Sequence, residues 1–196
     1  MNWVLTTLQW YFFLLILGLI FYPITAKILS QFFDKGYPFA KTIAIIFLSF
    51  VIFVFSLLKV LPFSQPSLFL LIILFLIVLI LFFIRQKSNI YHLRSKIFNL
   101  LPCLLFEELL FLVSLLFLAY VRGQEPSIRG LEKFMDFGFI NSILRTKFFP
   151  PVDIWYPPEP INYYYFGHLT GAFLIKLTNV KPAIGYNLIL ATIFAQ

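Results

Sequence analysis

The side chains able to do chemistry crowd between Arg122 and His168. Glu132 and Asp136 stand four residues apart, with Arg129 and Lys133 interleaved. Asp153 sits alone in the run FFPPVDIW, and Tyr163-Tyr164-Tyr165 is followed three residues later by His168. On a helix, carboxylates at i and i+4 share a face, which suits general-base work or a divalent cation. Equally, Arg129 and Lys133 can neutralise them at i+3. Asp153 has no basic neighbour in the chain, so it is either a ligand or a solvated turn residue. Three successive tyrosines form an aromatic belt at a membrane surface or line a site. They point in three directions around a helix, so at least one must face protein. His168, one turn after Tyr164, reads as a structural residue or as a base.

Outside this stretch the chain is mostly hydrocarbon. Of its 196 residues 61% are hydrophobic and only 12% charged, where a soluble domain carries about 25%. The mean hydropathy is +0.95. The apolar runs are aliphatic and unbroken rather than alternating, which predicts an all-α, polytopic helical membrane protein and not a barrel. A single cysteine, Cys103, excludes an internal disulfide. The net charge of +7 is spread over the loops and gives no reason to expect nucleic acid as a partner. No P-loop, dinucleotide fingerprint or zinc motif is present.

About six spans are expected: Trp3–Thr25, Thr42–Leu61, Ser67–Ile84, Pro102–Val121, Tyr163–Leu177, and a sixth starting near Ile184. Residues 85–101 read as a basic loop carrying Arg85, Lys87, Arg94 and Lys96. With loops 26–41 and 85–101 and the Lys176–Lys181 segment on one side, the positive-inside rule makes that side cytoplasmic. The N-terminus and the charge-balanced loop 122–162 are then outside the cell membrane. The chain divides into a three-span region, 1–101, and a second module, 102–196. The sixth span stops at Gln196 with no anchoring charge after it, so the chain is expected to be the N-terminal part of a longer protein.

Within the long loop, residues 127–146 are predicted to be helical with Ser127 as N-cap. Ile128, Leu131, Met135 and Phe139 share one face. The charges of Arg129, Glu132, Lys133 and Asp136 form a stripe beside it, which becomes apolar at Ile140 and Ile143. Such a helix lies in the membrane interface or is buried against the spans. FFPPVDIW is a stiff extended passage, and Trp155 suits an interfacial anchor. Glu107 and Glu108 in the fourth span are at membrane depth, where carboxylates are paired, functional, or near enough to the surface to be solvated.

EKFMDFGFINSIL, FPPVDIW and INYYYFGHL, in this order, resemble the "YYY" family of large multi-span prokaryotic membrane proteins, named for that triplet. FDKGYPFAK upstream and NVKPAIGYNLILATIF downstream fit it too, so the resemblance covers nearly the whole chain. Where the family has a glycine-containing step after PPxDxW, this chain has Tyr156-Pro157-Pro158-Glu159. The layout is similar to that of GT-C type glycosyltransferases, which use polyprenyl-phosphate sugars. That similarity implies a catalytic role for Glu132 or Asp136, with Asp153 nearby. Arg122, Arg129 or Lys133 would hold the lipid phosphate. Trp155, Tyr163, Tyr164, Tyr165 and His168 would line the substrate pocket. A divalent metal ion, if one is used, falls to Asp136 and Asp153. The expected partners are membrane lipid and a polyprenyl-phosphate sugar. Two other classes compete: a transporter or flippase using Glu107, Glu108 and Lys176, and a structural membrane subunit.

Overall fold

The longest apolar runs form the four longest helices of a computed structural model, which describes residues 3–85, 87–130 and 132–196, with 87–99 as backbone only. The helices are α1 (Trp3–Ile28), α2 (Tyr37–Leu57), α3 (Gln65–Arg85), α4 (Lys87–Gln124), α5 (Lys133–Arg145), α6 (Phe166–Thr178) and α7 (Pro182–Ala195). α1, α2, α3 and the Leu100–Gln124 part of α4 are long and apolar enough to cross a membrane. Their outward faces carry exposed Leu, Ile and Phe, among them Ile73, Ile77 and Leu81 on α3 and Leu105 and Leu109 on α4. In water that pattern is a liability; against lipid it is solvation.

Local sequence sets the helix ends. Gly36 enters α2 with φ 72°, where a Cβ would meet the Leu29 side chain; only glycine fits there. Pro38 and Pro182 occupy first-turn positions, where a missing N–H costs nothing. Asn179 closes α6 in the left-handed conformation, which asparagine tolerates.

The core runs through Trp10, Leu14, Leu17 and Phe21 of α1, Leu48 and Ile52 of α2, and Leu169 and Phe173 of α6. Several polar groups at this depth find partners, which a lipid surround favours. Trp10 Nε1–H donates to Thr192 Oγ1 at 2.9 Å. The last carbonyls of α6 accept from side chains of other helices: Thr178 O from Gln9 Nε2 (2.8 Å) and Leu177 O from Gln65 Nε2 (3.2 Å). α6 is thus a short helix sunk into the bundle, its C-terminal orphans satisfied from α1 and α3.

Three expectations are corrected. First, 85–101 is not a loop, because the backbone is helical from Lys87 and continues through Pro102 into the fourth span. No glycine or proline interrupts 87–101, so nothing stops the helix. The Lys87, Arg94 and Lys96 side chains lie outside the described residues.

Second, α6 does not carry Lys176 to the far side of the membrane. Its 13 residues rise only about 20 Å, short of the roughly 30 Å hydrocarbon core. Lys176 Nζ donates to Leu144 O (2.6 Å) and Phe63 O (3.2 Å). Leu144 is in the long loop, and Phe63 is in the α2–α3 turn on the same side. The amine that read as a cytoplasmic anchor instead caps the end of α5.

Third, the loop helix starts at Lys133 rather than 127. Ser127 is not its N-cap: its N–H is bonded to the Glu125 carboxylate. Gly130 turns at φ +88° before the helix. Leu131 lies outside the described residues.

α5 and α6 run side by side in the same direction. Asp136 meets His168, Ile140 packs over Gly171, and the Leu144 carbonyl meets Lys176. Parallel neighbours need a return connection, and FFPPVDIW supplies it, running back along α5. Ser142 Oγ donates to Val152 O, Ile154 fills the space over Gly138, and Trp155 meets Phe139 edge-on. The passage turns on an isolated Val152–Pro160 bridge. Phe149 enters the core between Phe53, Phe63 and Tyr165.

Candidate active site

The parallel pairing of α5 and α6 puts their first turns together, and with them the carboxylate and the imidazole. His168 Nε2 lies 3.0 Å from Asp136 Oδ1. The carboxylate can only accept, so Nε2 carries the shared proton. His168 Nδ1 is buried and has no hydrogen-bond partner among the described residues. The Tyr186 hydroxyl, on α7, approaches Asp136 Oδ2 at 3.5 Å. Phe139 orients the pair from below, meeting the His168 ring edge-on at 5.3 Å while also touching Trp155 and Tyr163.

Asp136 and His168 sit in the wall of a cavity of about 530 Å³ between α2, α5, α6 and α7. Most of the lining is apolar: Ile45 and Ile46 of α2, Ile140 of α5, Leu174 of α6, Ile189 and Ile193 of α7. Thr42 and Gln196, hydrogen-bonded to each other, stand among the lining residues. A long apolar pocket with a carboxylate–imidazole pair in its wall can hold a hydrocarbon tail and take a proton from a hydroxyl beside it.

The tyrosine triplet precedes α6 rather than opening it, and its members do separate things. Tyr165 is turned inward and stacks on Phe149. Tyr164 is 79% exposed and lines the cavity. Tyr163 stacks on Tyr164 with ring centroids 4.0 Å apart and donates its hydroxyl proton to Tyr164 Oη at 2.6 Å. That hydrogen bond, then desolvation and the charges of Tyr164, Glu132 and Asp136, pushes the Tyr163 phenol up to about 12.

The other residues expected in the site are dispersed. Glu132 is exposed, and its charge is felt at Tyr163. Lys133 begins α5 but forms no ion pair with Asp136, whose partner is His168. Arg129 is exposed. Trp155 is exposed against Phe139. Asp153 is a turn residue: its Oδ1 accepts from Trp155 N (2.7 Å) and Tyr156 N (3.2 Å). It lines a different cavity from Asp136. No group of three His, Cys, Asp or Glu suited to a metal occurs among the described residues. Arg122 grips Asn187 Oδ1 through Nε (2.9 Å) and Nη2 (2.6 Å), tying the end of α4 to α7 in a third cavity with Trp3 and Thr7.

Sequence reasoning missed Tyr186, Phe139 and Asn187. Tyr186 lies 50 residues from Asp136, and nothing in local spacing signals that contact. Glu108 is paired: Lys41 Nζ and the Tyr37 hydroxyl both donate to its Oε2 at 2.5 Å.

Four helices long and apolar enough to cross a membrane, with the shorter α5, α6 and α7 packed among them around a carboxylate–imidazole pair, define a polytopic helical membrane protein. The chain belongs to the family described as "Uncharacterized membrane protein (DUF2298)", whose model matches residues 8–196. No curated protein and no solved structure matches the chain.

Proposed function

We propose that the protein is a membrane glycosyltransferase that takes its sugar from a polyprenyl-phosphate carrier. The observation behind this reading is the Asp136–His168 pair in the wall of an apolar cavity. The aliphatic lining accommodates an isoprenoid tail. Asp136 Oδ2 accepts the proton of an acceptor hydroxyl as its oxygen bonds to the anomeric carbon and the sugar–phosphate bond breaks, polyprenyl phosphate leaving with that bond's electron pair, and His168 Nε2–H holds the carboxylate in place through Oδ1. Tyr186 orients the same oxygen. The likeness in layout to GT-C enzymes supports the same reading, as analogy only. The test is turnover of a lipid-linked sugar by the purified protein. Asp136→Asn preserves size and removes the charge, so activity falls by about 10²-fold, the scale of a lost general base. Undiminished turnover removes Asp136 from the chemistry.

The site faces outward across the cell membrane in this reading. Loop 26–41 and the segment from Arg85 to Leu101 carry a net charge of +6, against +3 on the loop side once Lys59, Lys176 and Lys181 are counted there with the balanced stretch 122–162; this smaller difference is what supports the orientation. In a Cys103→Ser background, an impermeant thiol reagent on intact cells labels Glu125→Cys and spares Ser30→Cys. The reverse pattern inverts the orientation.

A further inference from the structure

α5 carries the carboxylate–imidazole pair at its first turn, and at its other end it borders a second and larger cavity. This one, of about 730 Å³, opens between the end of α2, the end of α5 and the return passage. Three cations from three separate segments line it: Lys59 after α2, Arg145 at the last position of α5, and Lys147 at the start of the passage. All three are exposed. None has a carboxylate partner; the two ion pairs among the described residues are Lys41–Glu108 and His168–Asp136.

The bland reading of each cation is weaker than it looks. Arg145 suits the negative end of the α5 dipole, but Lys176 already occupies the Leu144 carbonyl there. Lys59 adopts φ 59° just past the end of α2, a place where glycine is the usual residue. Here an unfavourable backbone conformation carries a cation to the rim of the cavity. Lys147 fixes the wall through its backbone, its carbonyl accepting from Phe63 N at 2.8 Å, which leaves its amine free of that task. Asp153 is the one acid in the lining, and its Oδ1 is engaged by two backbone amides. The walls are rigid: Thr146 is tied to Ser142, and the passage is bonded at Asp153 N–Glu159 O and Ile161 N–Pro151 O.

We propose that this cavity is an anion site for a phosphoryl group, a phosphate mono- or diester or a diphosphate, held by Lys59, Arg145 and Lys147. A net positive, preformed concavity on the loop side matches the charge of such a group. Its volume leaves room for whatever the phosphate bears. The shared chemistry fits two sources, an anionic lipid headgroup or a soluble phosphate ester. The site stands independently of the proposed sugar transfer.

The experiment uses the purified protein in phosphatidylcholine nanodiscs titrated calorimetrically with inorganic pyrophosphate. In parallel, mass spectrometry counts phosphatidylglycerol retained from mixed-lipid nanodiscs. Lys59→Gln, Arg145→Gln and Lys147→Gln each weaken binding about tenfold, the scale of one charged hydrogen bond, and the triple variant abolishes it. Asp153→Asn, which keeps the turn-capping oxygen, strengthens binding, and Asp136→Asn leaves it unchanged. Pyrophosphate binding sensitive to the three cations identifies a soluble ester. Retention of phosphatidylglycerol alone, sensitive to the same residues, identifies a lipid headgroup. Absence of both, or binding indifferent to the triple substitution in a monodisperse protein, overturns the site.

Discussion

Two ion pairs at different places in the bundle show how the same chemistry serves different ends. Lys41 and Glu108 join α2 to α4 with side chains 3% and 11% exposed. The Lys41 amine also lies over the rings of Phe111 (4.3 Å) and Tyr37 (5.0 Å). Gly18 makes room for its stem: a Cβ there would come within 2.9 Å of Lys41 Cγ. His168 and Asp136 join α6 to α5 with side chains 15% and 34% exposed, in the wall of a cavity. The first pair is enclosed by protein and holds helices together, as polar contacts do in lipid. The second is positioned as firmly by Phe139 and Tyr186, yet Asp136 stays within reach of a ligand. What separates glue from a reactive site is access to one partner, not the presence of charge.

The sharpest way to break this contrast is to orphan a charge in each pair. Lys41→Met leaves the Glu108 carboxylate buried, and the loss is expected to be about 3–5 kcal/mol. Lys41→Met with Glu108→Leu removes both charges and should recover most of it, because apolar replacements of buried pairs are often neutral. Asp136→Asn should cost under about 1 kcal/mol, as a partly exposed pair does. Thermal unfolding in detergent measures all three. If Asp136→Asn proves as destabilising as Lys41→Met, both pairs are glue, and any loss of turnover in that variant has a structural cause.

An intermediate case refines the comparison. Arg122 is half-buried and bonds a neutral amide, and Asn187 Nδ2 also donates to Pro126 O at 3.1 Å. Asn187→Leu strips both partners and should cost about 1.5–3 kcal/mol, the range for a hydrogen bond to a charged group. Amide exchange should rise first in residues 124–130, which the Arg122–Asn187 contact holds against α7. Unchanged exchange there would mean that the segment is held by something else.

The contrast also shows what was readable in the chain. Helices α1 to α3 and the Leu100–Gln124 part of α4 were legible because unbroken apolar runs permit little else in lipid, while the helical backbone before it was not. Asp136 and His168 were both legible as reactive types, and a helix in the loop was legible from its periodicity, though not its start at Lys133. Their pairing was not, because the parallel course of α5 and α6 depends on how the proline passage returns. Lys176 misled because a lysine near a helix end reads as a surface anchor; that it caps α5 depends on Leu144, 32 residues away. Asp153, legible as a lone carboxylate, had its turn-capping role hidden in backbone geometry.

The smallest effect tests whether the charge of Asp136 reaches the space beside the tyrosines. Tyr163 donates its proton to Tyr164, and that hydrogen bond above all pushes its phenol from 10 up to about 12. The raised value means that folding favours the protonated phenol. That contribution is complete below pH 10 and is lost as the pH climbs through 12. A difference titration of phenolate absorbance, wild type minus Tyr163→Phe, should therefore show one ionisation near 12. Tyr164→Phe removes the acceptor, the largest cause of the shift, and should bring the ionisation most of the way back towards 10. Asp136→Asn removes the smallest cause and should lower it only slightly. A Tyr163 ionisation at 10 in the wild type would mean that the hydroxyl pair does not form in solution. A value unmoved by Asp136→Asn would mean that the carboxylate is screened from the triplet. The cavity beside His168 would then be served by Asp136 alone, without electrostatic communication with Tyr163.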